Sequence, residues 1–453
     1  MALIDKASLL MVPSTYEAGK LYNVLPSGNR APDNKGGAGY DQTRADFDFD
    51  RGSNAAATRI GSDGLLKKYQ ENLLLQSNQF DTTWTNINIT HTSGQTGYDG
   101  SSNAWKSSFT AGSTRVFGQT FSQTGVVTIS IYVKAGNHNF IQFVTSTSVT
   151  AYVNFDISSS SAAVGTEGTG VIDSNITSVG NDWYRCSMSF NNSSSGTIYV
   201  WMIDSATSSR ASDVSTDGNI LIQSAQLETG LVATDYLNST SVTAKAGVLI
   251  DLPRINYDAN GGNGSLLLEP SRQQLIQYSE YFGSYSKVTS DATAVPVVTD
   301  NYAISPEGVK NAARVIVTKP GTNSDYAVIR EAKSVAKTSG DKMSQSVYLK
   351  ATDASQVGKI VNIYAYDNSY LSVENYTLTS EWKRVEVVHT ASTGTSNVEM
   401  VIGKARGYNG GTTLENMATD FLVYGHQFES SASYVSSYIP NHGTSGGVTR
   451  AAD

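Results

Sequence analysis

Asp46-Phe47-Asp48-Phe49-Asp50-Arg51-Gly52 places three carboxylates two residues apart, as the opening of a calcium-binding loop does. The glycine such a loop needs at its sixth position is here Arg51, and the glutamate at its twelfth is Ala57. The alternation reads instead as an amphipathic strand with Phe47 and Phe49 inward and the acids outward. Gly443-Thr444-Ser445-Gly446-Gly447 has the letters of a nucleophile elbow, yet no strand-to-helix pattern surrounds it and no Asp then His follows. It is expected to be a flexible linker. His91, His138, His389, His426 and His442 have no short metal-ligand spacing and are expected to be solvated or structural. Glu228 and Glu429 invite a glycosidase reading, which needs two carboxylates about 5–10 Å apart. They stand at equivalent places in two repeated units, so a hydrogen-bonding role at a strand end is the better expectation.

Aromatic side chains are better placed for binding. Tyr199 and Trp201 are two apart on one strand and share a face. Tyr364 and Tyr366 repeat that spacing, with Tyr370 just beyond and Tyr408 in a glycine-rich loop. Trp84 and Trp105 lie in a polar stretch. Sugar rings stack on such faces while Asn, Gln and Asp bond the hydroxyls; the competing role is burial in a core. Trp183 and Trp382 each precede an arginine by two residues, and this recurrence points to a core or cation–π role rather than to a ligand.

These candidates sit on a repeat. Asn72 to Phe80 matches Gln274 to Phe282, 202 residues on; Ile131 to Ala135 matches Val347 to Ala351; Trp183-Tyr184-Arg185 matches Trp382-Lys383-Arg384. Ile220 to Glu228 then matches Phe421 to Glu429, and Tyr236-Leu237 matches Tyr438-Ile439. Five anchors in one order define two copies of one unit. Within each unit, β-branched alternating runs predict strands: Val126–Val133, Phe140–Val144, Tyr152–Phe155, Ile198–Ile203 and Ile220–Ile222, then Ser344–Leu349, Val361–Tyr366, Val385–Val388 and Val398–Ile402. Ser158 to Gly170 and Asn191 to Gly196 read as turns. The expected fold is all-β: two tandem β-sandwich modules of jelly-roll type. The expected organisation is an N-terminal region 1–60, module one 61–240, a joint 241–271, module two 272–442 and a tail 443–453. The joints, Ala57 to Leu66, Ser241 to Ile250 and Gly447 to Asp453, read as a short spacer hairpin whose last copy is truncated.

At 453 residues the chain is long enough for about three domains. Its net charge of −8 argues against a general nucleic-acid binder, which needs a basic stripe. No stretch is apolar enough to span a bilayer, so membrane insertion is not expected. A single cysteine, Cys186, excludes an internal disulfide framework and a cysteine-based zinc site. The N-terminus has charges inside its apolar stretch and makes a poor secretion signal, so synthesis in a cytoplasm with release by lysis is expected.

Pro253-Arg254-Ile255-Asn256-Tyr257, Ser265 to Arg272 and Tyr278 to Phe282 resemble a segment frequent in phage tail and head fibre proteins. So does the stretch from Trp382 through Gln427-Phe428-Glu429 and Tyr438-Ile439-Pro440 to Val448-Thr449-Arg450-Ala451-Ala452-Asp453. The first joint lacks the Pro-Arg-Ile and Leu-Glu-Pro elements of the second. The modules are similar to carbohydrate-binding jelly rolls. The resemblance implies a non-enzymatic virion structural protein on the particle surface, with residues 1–60 docking to other virion proteins. It implies a homotrimer whose modules bind host-surface polysaccharide, for which the aromatic candidates are Tyr199, Trp201, Tyr364, Tyr366 and Tyr408. A structural calcium near Asn219 and Asp420 is the one cofactor it suggests. The alternative is a capsid decoration protein that stabilises the shell and binds no glycan. A depolymerase is disfavoured by the lack of clustered carboxylates and β-helix repeats.

Overall fold

Alternating apolar residues along short runs give strands with one buried face, and two such faces must close on each other. In the computed structural model, which describes the backbone of residues 13–17, 20–23 and 47–48 and then residues 51–453 except 54, 55, 251, 259, 260, 291–293, 320, 395, 409, 410 and 412, they close twice. Module one pairs two six-stranded antiparallel sheets. The first runs, edge to edge, Val171–Gly180, Trp183–Asn192, Gly125–Ala135, Gly218–Thr229, Ala104–Phe109 and Ile89–Gln95. The second runs Ala163–Glu167, Tyr152–Asp156, Phe140–Thr145, Gly196–Met202, Val116–Phe121 and Thr85–Ile87. Module two repeats the order with one strand fewer per sheet: Lys383–Thr390, Lys342–Ala351, Thr419–Glu429, Ala312–Val317 and Val297–Ala303 face Tyr370–Thr377, Ile360–Tyr366, Ser396–Lys404, Ala327–Val335 and Ser286–Thr289. The chain is therefore all-β, with two tandem β-sandwiches and no α-helix among the described residues.

Each sandwich has its own core. Val127, Ile129, Ile131 and Val133 of one sheet meet Phe143, Val153, Phe155 and Val200 of the other, with Phe143 and Phe155 rings 5.0 Å apart. Met343, Val347 and Leu349 meet Ile363, Met400 and Ile402 in module two. Trimming one of these buried phenylalanines to alanine costs about 3–5 kcal/mol. A β-bulge interrupts the central pairing at the same place in both modules, at Ser224 (φ 55°) and Gly425 (φ 63°).

The sequence anchors are the hydrogen bonds that repeat. Gln226 bonds Glu228 (2.7 Å) and accepts from the Leu237 N–H (2.7 Å); Gln427 bonds Glu429 and accepts from the Ile439 N–H (2.7 Å). Asn72 and Gln274 each tie the strand that carries this motif, Asn72 to Ala225 O (3.0 Å) and Gln274 to His426 O (2.7 Å).

Three expectations need correction. Ser158 to Gly170 contains the edge strand Ala163–Glu167, and the unexpected Val171–Gly180 follows it; both extend module one, and their Ser, Thr and Gly content hid them. The joints are not short spacers. Thr58–Ile60, Leu66–Asn72 and Ala244–Gly247 form one sheet, and Arg272–Gln274 pairs with Val448–Arg450. Nor is 443–447 a free linker: Asn441 Oδ1 accepts from the Gly443 and Thr444 N–H groups (3.1 and 2.8 Å), and Gln277 and Gln273 donate to Gly443 O and Gly446 O (3.0 Å each). Asp46, Phe49 and Asp50 lie outside the described residues, as does most of region 1–60; Phe47–Asp48 is strand, paired with Lys20–Leu21.

The joints converge on a buried charge cluster. Asp453 Oδ1 receives Arg51 Nε and Arg254 Nε (2.9 Å each), Arg254 Nη2 reaches Glu269 Oε2 (2.9 Å), and Arg450 Nη1 reaches the same oxygen (3.0 Å). These arginine side chains are fully buried and also bond backbone carbonyls at Leu249, Leu252, Thr58 and Pro270. Residues far apart in the chain thus share one frame, and the Pro-Arg-Ile, Leu-Glu-Pro and terminal Thr-Arg-Ala-Ala-Asp elements are the parts that build it.

Candidate functional site

The second sheet of module two has an outer face as well as a core face. Ile329, Ile363 and Ile402 point to the core, so Val328, Arg330, Tyr364, Tyr366, Glu399 and Val401 point away from it. These residues, with Tyr326, Tyr370 and Arg406, line a cavity of about 370 Å³. Tyr370 is its hub: its ring centroid lies 5.2 Å from Tyr364, 5.5 Å from Tyr366 and 5.3 Å from Tyr408. Tyr364 is the buried floor, Tyr366 and Tyr370 are half-buried walls, and Tyr408 is an exposed rim at 37%. Burial pushes the Tyr364 hydroxyl well above its ordinary range, so it is a neutral donor and acceptor at any working pH. Arg330 pairs with Glu399 across the neighbouring strand, and the Arg406 guanidinium lies 5.3 Å over the Tyr326 ring.

Tyr364, Tyr366 and Tyr408 are thus brought together, and Tyr199 and Trp201 lie in the other module. The latter two do share a face, with rings edge-on at 6.5 Å. That face is covered in part, and Tyr199 and Trp201 stay half-buried. The loop after Met202 folds back across it: Asn154 donates to Ala206 O (3.1 Å) and Ser208 O (2.7 Å), and Gln142 donates to Ser209 O (3.1 Å). Gln142 Oε1 also accepts from the Ala211 N–H (2.6 Å), and Arg210 reaches Thr145 O (2.9 Å). Trp201 Nε1, Arg210 Nε and Ser212 Oγ are buried there without a hydrogen-bond partner. Tyr326 and Arg406 were not singled out from the sequence. Tyr326 stands just before the strand Ala327–Val335, and only pairing across the sheet brings it to the cleft.

The acidic candidates are structural. Glu228 accepts from Thr234 N (2.9 Å) and Thr234 Oγ1 (2.5 Å), and Glu429 accepts from Ser436 Oγ (2.8 Å). A carboxylate pair that sequence reasoning missed lies between joint and module two: Lys68 Nζ is 3.0 Å from Glu280 and 2.6 Å from Glu307, and the Tyr424 hydroxyl bonds both acids. Burial opposes charge on both acids; Lys68 overcomes it at Glu280, whose carboxyl is held low, while burial prevails at Glu307 and lifts it. The two acids share one hydroxyl and one ammonium, which tie the joint to module two. Glu307 and Lys68 border a cavity of about 300 Å³ between the modules, which His442 also lines.

Asp420, proposed as a calcium ligand, is held by Arg314, whose Nε donates to Oδ1 at 2.8 Å. Asn219 bonds Asn137 Oδ1 (2.7 Å) through both its backbone N–H and its side-chain amide. Among the described residues no three His, Cys, Asp or Glu side chains gather as a metal site. The recurrent arginines stack on tyrosine rather than tryptophan, Arg185 on Tyr132 at 5.3 Å and Arg384 on Tyr348 at 5.7 Å. Trp183 is core, and Trp382 Nε1 bonds Ile304 O (3.1 Å). Among the described residues no helix is long and apolar enough to cross a membrane.

The fold and its aromatic face define a tandem β-sandwich protein. No protein-family model and no curated protein matches the chain. Among solved structures it is similar to the CBM22-1–CBM22-2 tandem domain of Xyn10C from Paenibacillus barcinonensis, at 11% identity over 84% of this chain and 99% of that one, with a TM-score of 0.26. It is also similar to the tandem CBM51 modules of Sp3GH98, a family 98 glycoside hydrolase of Streptococcus pneumoniae SP3-BS71 (12% identity, 72% and 84% covered, TM-score 0.18). A third is the enzymatically active domain of tailspike protein 4 of bacteriophage CBA120 (9% identity, 33% and 20% covered, TM-score 0.22). The assignment to tandem sandwiches rests on the repeated strand order, not on these superpositions.

Proposed function

We propose that this chain is a non-enzymatic surface protein of a phage particle that holds host-surface polysaccharide in the tyrosine cleft of module two. The observation that carries the binding reading is the cleft itself: several tyrosine rings around one half-open cavity, on a sheet face that a sandwich does not need for its core. Tyrosine suits sugars because its ring stacks on the apolar face of a pyranose while its hydroxyl bonds the equatorial oxygens. The structural roles of Glu228, Glu429, Glu280 and Glu307 support the non-enzymatic part. The phage part is supported by the resemblance of the joint segments, with residues 1–60 as the attachment region. A homotrimer belongs to the same reading, since weak sites gain avidity by up to about 10²–10⁴ when linked.

A glycan array probed with the whole chain tests the binding: retention of a set of polysaccharides, lost in Tyr370→Ala, is expected. A blank array, or retention unchanged by that substitution, removes the reading. Light scattering at micromolar concentration reports the trimer, and imaging of particles with the chain labelled reports its place.

A further inference from the structure

We propose that the ligand of the tyrosine cleft is acidic, a polysaccharide carrying hexuronic acid, with the uronate carboxylate on Arg406. This rests on the glycan reading above and goes further by naming the class of sugar. The chain as a whole is negative, with a net charge of −8, yet the cleft is not. Its lining has Arg330, Arg406 and a single acid, Glu399. Arg330 and Glu399 neutralise each other as an ion pair, both side chains partly exposed. Nearby, Lys404 is buried with its Nζ on Ala405 O and 3.5 Å from Tyr408 O, and Asp325 is held by Ser290 (3.1 Å) and the Thr322 N–H (2.7 Å). These two charges offset each other as well. One positive charge is left over, and Arg406 carries it.

Arg406 is exposed, and no described carboxylate forms an ion pair with it. It is nonetheless positioned: its guanidinium lies over the Tyr326 ring at the cavity wall. Stacking uses the flat face of the guanidinium and leaves its N–H edge open, which is the edge that takes a carboxylate in a two-bond fork. A sugar stacked among Tyr366, Tyr370 and Tyr408 would present its ring substituents to that edge. A neutral polysaccharide would leave the fork bonded to water alone; a uronate uses both parts of the site at once.

The test measures affinity of the whole chain for oligomers of alginate and polygalacturonate, for the same oligomers after carboxyl reduction, and for dextran sulfate. Expected is at least a tenfold preference for one uronate oligomer over its reduced form. That preference should vanish in Arg406→Gln and shrink in 0.5 M salt, the screening expected of an exposed charge pair. Equal affinity for the acidic and reduced forms overturns the acidic ligand and leaves the sugar cleft standing. A stronger, Arg406-dependent affinity for dextran sulfate than for either uronate overturns the carboxylate. Silence on acidic and neutral arms alike removes the acidic ligand together with the glycan reading it rests on.

Discussion

The same sheet face holds a tyrosine-lined cavity in module two and carries a loop over part of it in module one, although the strands beneath correspond in register. Gln142 lies opposite Asn154 on one neighbouring strand and Trp201 on the other; Asn362 lies opposite Asn375 and Gly403 in the same way. By that register Tyr199 corresponds to Val401 and Val144 to Tyr364. The aromatic bulk has moved one strand over, and the loop after it has changed direction. In module one the loop is held down by the carboxamides of Gln142 and Asn154. In module two Asn362 accepts only the first N–H of that loop, from Ala405 (2.8 Å), and the chain leaves toward Asn323, whose carbonyl takes the Gly407 N–H (2.7 Å). Whether this face holds a cavity is thus decided by where one loop goes after a repeated strand, not by the sandwich.

The largest expected effect tests whether the two faces hang on one frame. Arg254→Met leaves Asp453 and Glu269 buried with fewer partners, and breaking such a buried network costs about 3–5 kcal/mol. Lys67→Met removes the exposed pair with Asp63 and should cost less than about 1 kcal/mol. Urea unfolding compares them. If Arg254→Met costs no more than Lys67→Met, the cluster is not what joins the modules. Sugar affinity per folded molecule should survive in both.

Acid should separate the modules next. In the core of module two His389 Nε2 meets Gln345 (2.9 Å), which meets His426 Nε2 (2.9 Å), whose Nδ1 meets the Tyr285 hydroxyl (3.1 Å). At the matching positions module one has Phe190, Ile129 and Ala225. Burial pushes His389 down to about 4 and His426 to about 3. An unfolded histidine titrates near 6.5. Between about pH 6.5 and 4 the unfolded chain therefore binds protons that folded module two refuses, and stability falls as pH falls. Asp300, lifted by burial to about 6, acts in the opposite sense over pH 6 to 4 and cancels part of this. The net loss is roughly 2–4 kcal/mol by pH 4.5. Module one has His91, pushed by burial to about 4 but half-exposed, and His138, which burial also lowers; module two adds His442, pushed to about 4, so module one should lose less. Hydrogen-exchange protection, resolved by module at pH 7 and pH 5, checks this; equal losses in the two halves would refute it.

Tyr370→Ala should lower sugar affinity about 30-fold, about 2 kcal/mol, because it removes the ring that touches three others. Tyr199→Ala should leave affinity within about twofold, since it lies in the other module, away from the cleft. Calorimetric titration of both variants decides which module binds, and a larger loss from Tyr199 would reverse the comparison.

What was legible follows from range. The repeat was legible because its anchors, Asn72 and Gln274, Gln226 and Gln427, Glu228 and Glu429, make the same hydrogen bonds twice. Tyr364 and Tyr366 were legible because strand alternation puts them on one face. Tyr326 and Arg406 were not, because a sheet order that brings Ala327–Val335 and Ser396–Lys404 together is set by pairing across about 70 residues. The buried cluster was invisible for the same reason: Arg51, Arg254, Glu269, Arg450 and Asp453 are single charges scattered along the chain. Nothing marked the loop over Trp201 either. Its Ser, Thr and Asp residues carry no apolar pattern, and two carboxamides on other strands are what turn it inward.

Those carboxamides give the smallest effect and the finest test. Asn154→Ala removes the two bonds to Ala206 O and Ser208 O and leaves Gln142 without a side-chain partner, so module one should lose about 1–2 kcal/mol. The loop keeps its far anchors, the Thr114 N–H on Asp213 (3.2 Å) and the Gly112 N–H on Val214 O (2.9 Å), so the rest of the sandwich should stay protected. Faster amide exchange confined to residues 205–212 is the expected signature. Tyr199 and Trp201, half-buried before, then become more exposed, and the unsatisfied Trp201 indole N–H gains water. If the opened face binds sugar, the two modules differ only by a latch; if it stays inert, the rings and Arg406 of module two are what make a site.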